Sequence, residues 1–243
     1  MKKFLIYVLL LVTVVTISGC DTGSKKNKDI DKDTVSSEDA LKFKNDYESL
    51  NGVDNNGKTI RSVNIPEDNP FVYKEASDIV KMINNEESFI VYFGFSKCPW
   101  CRSIIETLIK VANDYNVDTI YYVDVLEIRD ILKLNDNNEI VTDREGSKDY
   151  MKLIKLLDNV LSDYNLTDAE GNTISTGEKR IYAPNVVSVV DGEATLLETG
   201  ISDSQEDGYQ ELTDDMLDET YDKLAKVMEE LGESTVCSTD SKC

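Results

Sequence analysis

The chain has 243 residues, enough for one good-sized domain or two small ones, and carries 47 acidic against 26 basic side chains, a formal net charge of −21. A surface of that sign repels nucleic acid and anionic lipid head groups, and by itself names no partner. Histidine is absent, which excludes a Ser-His-Asp or Cys-His nucleophile and any histidine-based metal site.

Lys2 and Lys3 precede an apolar run from Phe4 to Val15, followed by Thr16-Ile17-Ser18-Gly19-Cys20. A basic start, a short apolar core and small residues at the exit predict an export signal over residues 1–19; the run is too short for an ordinary membrane span, and a short transmembrane anchor is the alternative. Ile17-Ser18-Gly19-Cys20 resembles a bacterial lipobox, which implies that Cys20 is lipidated and anchors the mature chain to the outer face of the cell membrane. Residues 20–37, rich in Lys, Asp, Ser and Asn, are expected to form a flexible tether. Disulfides persist outside the cytoplasm, and with Cys20 assigned to lipid the cysteines left to pair are Cys98, Cys101, Cys237 and Cys243.

Residues 38–232 are expected to form the domain, with 38–75 as an N-terminal extension. Ala40, Leu41, Phe43, Tyr47 and Leu50 give a helical pattern from Glu38 to Leu50. Turns follow at Asn51-Gly52 and Asn55-Asn56-Gly57, then an irregular stretch from Ile65 to Pro70. A short amphipathic helix is predicted over Ala76 to Asn84, on Ile79, Met82 and Ile83. Phe89 to Phe95 is an uncharged aromatic and β-branched run, the pattern of a strand buried on both faces.

Directly after it stands Cys98-Pro99-Trp100-Cys101, and then apolar residues at helical steps: Cys101, Ile104, Ile105, Leu108, Val111, Ala112 and Tyr115. The thiols therefore sit where a strand hands over to a helix, with Pro99 suited to the first helical position. The helix dipole, free N–H groups and neighbouring Lys97 favour a thiolate at Cys98. Cys101, one turn on, can attack a mixed disulfide formed there. Both sulfurs are expected to be open to visiting polypeptides. A structural disulfide or half of a zinc site are the alternatives, although a C-x2-C far from the C-x5-C of Cys237 and Cys243 matches paired zinc knuckles poorly.

Asp118 to Val125 reads as a second buried strand, completing a right-handed βαβ unit. Residues 126–180 are expected to be a helical insertion. It would hold a short helix from Glu127 to Leu134, a polar turn at Asn135 to Asn138, and a longer helix with Tyr150, Ile154, Leu157, Val160, Leu161 and Tyr164 on one face. Ile181-Tyr182-Ala183-Pro184-Asn185 then leads into a strand from Val186 to Val190, a turn at Asp191-Gly192, and a returning strand from Ala194 to Thr199. The last helix is expected to start at an N-cap near Thr213 and to end at Gly232. Its apolar face would be Leu217, Tyr221, Leu224, Val227, Met228 and Leu231. Residues 233–243 form a polar tail in which Cys237 and Cys243 are expected to make a structural disulfide, a second redox relay being the alternative.

Strand, Cys-x-x-Cys, helix, strand, proline-led hairpin and closing helix: this order resembles the thioredoxin-like superfamily, from Ala76 to Leu231 with the insertion between. The residues that carry the resemblance are Phe93 to Arg102 and Tyr182-Ala183-Pro184. The run Phe93-Gly94-Phe95-Ser96-Lys97-Cys98-Pro99-Trp100-Cys101 is also similar to bacteriocin-transport accessory proteins and to lipid-anchored thioredoxin-domain lipoproteins of Gram-positive bacteria. The resemblance implies an α/β fold with a mixed central sheet flanked by helices and a helical insertion before a cis-proline. It implies that Cys98 attacks, Cys101 resolves, and Pro184 is the cis-proline facing the pair. The backbone of Ala183 would pair with a substrate strand, and Trp100 would be an apolar substrate contact. As ordinary alternatives, Trp100 is a packing residue and Pro184 a strand-edge proline.

Three departures prevent redox potential and direction from being carried over. Tyr92 stands where thioredoxins carry a buried Asp, Lys97 rather than an aromatic residue precedes Cys98, and Pro-Trp separates the cysteines. The implied activity is extracytoplasmic thiol–disulfide exchange on protein or peptide substrates, recycled by a redox partner in the membrane, with no metal or organic cofactor. The alternative is a non-catalytic accessory lipoprotein that assists secretion or maturation of a bacteriocin-like peptide.

Overall fold

The computed structural model describes the backbone of residues 32–239 and the side chains of 37–232. The export signal, Cys20, most of the tether and Cys243 lie outside the described residues, as does the side chain of Cys237.

Helix α1 (Lys32–Glu48) takes in residues 32–37, which the composition assigns to the tether. Ala40, Phe43 and Tyr47, at three- and four-residue steps, are the face it buries; Leu41, expected beside them, is exposed. Phe43 stacks on Phe71 with ring centroids 3.9 Å apart and meets Tyr122 edge-on at 4.9 Å. A small hairpin follows, β1 (Asp54–Asn55) and β2 (Lys58–Thr59), then strand β3 (Phe71–Tyr73), which the sequence did not signal, and helix α2 (Ala76–Asn84) as expected. Strand β4 (Phe89–Gly94) is buried at every residue. Helix α3 (Pro99–Asp114) and strand β5 (Ile120–Asp124) complete the βαβ unit, with β4 and β5 parallel neighbours.

The insertion is not the helical lobe expected of it. Glu127 to Leu134 is no helix; its second half is strand β6 (Ile131–Leu134), paired with β7 (Ile140–Arg144). Helix α4 (Lys148–Leu156) stops well short of Tyr164, and β8 (Ser162–Thr167) pairs with β9 (Thr173–Arg180). Tyr150 and Leu153 are the residues α4 buries. Ser162-Asp163-Tyr164-Asn165-Leu166-Thr167 alternates polar and apolar, and that period of two is satisfied in a hairpin. Tyr164 and Leu161 thus reach the core from outside the helix.

Strands β10 (Asn185–Val190) and β11 (Glu193–Glu198) form the expected hairpin. Asp191 and Gly192 both adopt positive φ, 48° and 78°, the backbone a tight two-residue turn requires. Helix α5 (Asp214–Thr239) is capped by Thr213, whose Oγ1 accepts the Met216 N–H at 3.3 Å. It runs through Gly232, so Cys237 lies in a helix rather than a polar tail. Of its expected face Leu224, Val227 and Met228 are buried and Tyr221 and Leu231 pack against the core, while Leu217 is exposed and Met216 and Thr220 are covered instead.

The central sheet has the order β11-β10-β4-β5-β3 and is mixed: β3, β5 and β4 run parallel, β10 is antiparallel to β4, and β11 to β10. Pleating sends alternate residues of β4 to opposite faces. Ile90 and Tyr92 join Val186 against α1, α3 and α5; Phe89, Val91 and Phe93 join Val187 and Val189 against α2 and α4. The protein is thus a mixed α/β fold, in which the helix carrying both thiols lies over the face lined by Tyr92. Among the described residues no helix is long and apolar enough to cross a membrane.

Candidate active site

Cys98 is the residue before α3, in extended backbone (φ −69°, ψ 120°), with Pro99 at the first helical position. Its N–H donates to Phe95 O at 3.1 Å, which fixes the turn out of β4. Its Sγ accepts the Cys101 N–H at 3.3 Å, so the sulfur serves as the helix cap. The Cys98 thiol donates to Ala183 O at 3.2 Å, and the Ala183-Pro184 peptide bond is cis. The Asn185 amide, turned so that its nitrogen faces the carbonyls, donates to Tyr182 O (3.1 Å) and Pro184 O (2.7 Å) and steadies this loop. Cys98, Cys101, Trp100, Ala183 and Pro184 are therefore brought together around one helix end.

The two thiols are driven apart electrostatically. Hydrogen bonding from the Cys101 thiol lowers the pKa of Cys98 below the ordinary value; burial opposes this, while the N–H groups of Cys101 and Trp100 and the Arg129 charge add to it. Burial pushes Cys101 well above the ordinary value, and hydrogen bonding and proximity to Cys98 push it further. Cys98 is thus the group that takes the negative charge and Cys101 the one that keeps its proton.

One sequence expectation needs correction. Cys98 keeps 4% of its surface and Cys101 none, so the sulfurs are not openly displayed. Phe95, Trp100 and Ala183 pack against the buried cluster that contains both cysteines. Lys97, expected to add a nearby cation, is exposed to solvent. A cation the sequence did not signal also bears on Cys98: Arg129, from the turn after β5, with its guanidinium 4.8 Å from the Phe95 ring centroid.

Trp100 is half-buried, and a loop lies against it that the sequence did not signal. A Cβ on Gly208 would sit 2.9 Å from Pro99 Cβ and 3.2 Å from Trp100 Cδ2, an approach that suits glycine. This loop is fastened to the β1–β2 hairpin. Lys58 pairs with Asp207 at 2.8 Å, Asn55 Nδ2 donates to the Tyr209 hydroxyl at 2.9 Å, and Arg61 donates to Gln210 O. The N-terminal extension thereby helps shape the wall beside Trp100.

Arg102 was legible only as part of the motif, and its burial was not foreseen. It is 1% exposed and donates to four oxygens, those of Arg61 (2.6 Å), Tyr47 (3.0 Å), Ser96 (2.9 Å) and the Asn51 side chain (2.5 Å). No local pattern marks Arg129 or Arg102, because both find their partners across the fold. Among the described residues, no three Cys, Asp or Glu side chains are grouped as metal ligands. No family model, curated protein or solved structure matches this chain.

Proposed function

We propose that the protein is a thioredoxin-like thiol–disulfide oxidoreductase, held through a lipid on Cys20 at the outer face of the cell membrane and acting on protein or peptide disulfides. The observation that carries this reading is the Cys98 sulfur, capping α3 and hydrogen-bonded to the carbonyl that precedes cis Pro184. A thiol with a lowered pKa beside a buried, protonated one is the asymmetry that two-step exchange needs.

In the first step the Cys98 thiolate attacks one sulfur of a substrate disulfide. A Cys98–substrate bond forms and the other substrate sulfur leaves as a thiolate. Cys101 then gives up its proton and attacks Cys98, so that the Cys98–Cys101 bond forms and the second substrate sulfur departs. Two electrons have passed to the substrate, whose two thiolates take up protons. Run backwards, the same steps oxidise a substrate dithiol, and a redox protein in the membrane would restore the starting state. The approach to Cys98 runs past Trp100 and Ala183, both partly exposed. There an incoming strand would take over the Ala183 carbonyl that the thiol now occupies.

The near-complete burial of both sulfurs favours a second reading, a non-catalytic accessory lipoprotein that keeps the Cys pair for stability and assists a bacteriocin-like peptide. Cys101→Ser separates the two. An oxidoreductase carrying it accumulates mixed disulfides through Cys98, visible by non-reducing electrophoresis and mass spectrometry. A variant that traps nothing over a range of redox buffers identifies the accessory protein.

A further inference from the structure

Tyr92 is fully buried in β4, on the sheet face that α3 covers, in the same cluster as both cysteines. A phenol so placed must find a partner for its hydroxyl. One is the Tyr47 hydroxyl from α1, 3.0 Å away. The other group that bears on it is the Cys101 thiol, in the same buried cluster, whose pKa the Tyr92 hydroxyl acts to lower against the effect of burial. Gly94 makes the arrangement possible: a Cβ there would lie 2.4 Å from the Tyr92 hydroxyl oxygen and 2.5 Å from Cζ. The ring therefore lies along the strand, over the position of the missing side chain. Besides Tyr92, the ionisable groups acting on Cys101 include Tyr47 from α1, Tyr122 from β5, Arg102 from α3 and Cys98 at its N-cap. None of these is a carboxylate.

We propose that the Tyr92 hydroxyl, aligned by Tyr47, is the hydrogen-bond donor that stabilises the Cys101 thiolate in the step where the Cys98–Cys101 disulfide forms or opens. This rests on the exchange chemistry argued above and names the group that serves its buried half. When the disulfide forms, Cys101 loses its proton and attacks Cys98; the leaving substrate thiolate gains a proton, with water as carrier. When a substrate thiolate attacks Cys98 instead, Cys101 departs as the thiolate and is later reprotonated. In both directions the negative charge on Cys101 arises away from water, where a preoriented neutral donor is most effective. Tyr92 keeps its own proton throughout, because burial holds its pKa well above the ordinary phenol value.

The test uses reduced glutathione against the oxidised protein, with quenched samples resolved by mass spectrometry as disulfide, mixed disulfide and dithiol. A hydrogen bond to a charged group predicts that Tyr92→Phe slows opening by glutathione, and closure of the glutathione mixed disulfide by Cys101, roughly ten- to a hundredfold. The pH profile of closure moves upward, while the alkylation rate of Cys98 in the reduced protein stays at the wild-type value. Tyr47→Phe, which only loosens the alignment, gives a smaller loss of the same kind and decides the matter should Tyr92→Phe not fold. Unchanged closure, or a loss shared equally by Cys98 alkylation as general loosening would produce, overturns the proposal. A wild-type protein that forms no mixed disulfide at Cys98 overturns instead the oxidoreductase reading on which it rests.

Discussion

Arg102→Ala is expected to lower the free energy of unfolding by about 3–5 kcal/mol, a large share of what a domain of this size possesses. The guanidinium sits just inside α3 and satisfies oxygens from the end of α1, from the stretch after it, and from the loop between β4 and Cys98. It also lies over the Tyr47 ring, 5.7 Å from the centroid. Alanine would strip all four acceptors of this donor, leaving Tyr47 O and the Asn51 side chain only the N–H groups of Leu50 and Val63, and would open a cavity beside them. Lysine cannot reproduce the fork, so Arg102→Lys is expected to recover only part of the loss. Urea unfolding followed by Trp100 fluorescence measures the effect; a loss below about 1 kcal/mol would mean that water replaces the guanidinium freely. The consequence for function is indirect. Ser96 O is one of the four acceptors, so loosening Arg102 loosens the loop that delivers Cys98 to the helix end.

Cys98→Ser is expected to reduce disulfide exchange to the background of the uncatalysed reaction while leaving stability within about 1 kcal/mol of wild type, on the stable side. Serine is a better helix cap than cysteine, and its Oγ can take the Cys101 N–H and donate to Ala183 O as the sulfur does. What it cannot do is form a disulfide. The pairing of an intact fold with lost chemistry is the informative part. A protein that keeps Cys98 for structure would show the reverse, an ordinary cost in stability and no change in activity. Redox assays with an unfolded disulfide-bonded substrate, run beside urea titrations, give both numbers.

The site was legible where local rules coincide. An uncharged Phe89 to Gly94 can satisfy its backbone and bury all its side chains only between two other strands, and β10 and β5 are those strands. Pro99 marked the helix start, Asp191-Gly192 the hairpin, and Thr213 the last cap. The errors have equally local causes. Leu157, Leu161 and Tyr164 continue the helical spacing of Tyr150 and Ile154 by coincidence, yet α4 ends at Leu156 and the alternation after Leu161 forms β8. At three residues, β3 is too short to show a period, and it exists because β5 pairs with it. The packing of Trp100, Phe95 and Ala183 against the cluster that holds both cysteines, the charge of Arg129 near Cys98, and the Tyr47–Tyr92 contact join residues 45 or more positions apart or depend on how loops close. No window of sequence contains them.

The most direct measurement is the rate of alkylation of Cys98 by iodoacetamide as a function of pH, with peptide mapping to keep it apart from Cys101. The thiolate is the reactive form, so a lowered pKa moves the rise in rate to lower pH. Cys98 should react fully below the ordinary thiol value of about 8.5, with Cys101 unmodified throughout. A Cys98 that stays unreactive at every pH at which the protein is folded, or that titrates at or above the ordinary value, would contradict the account.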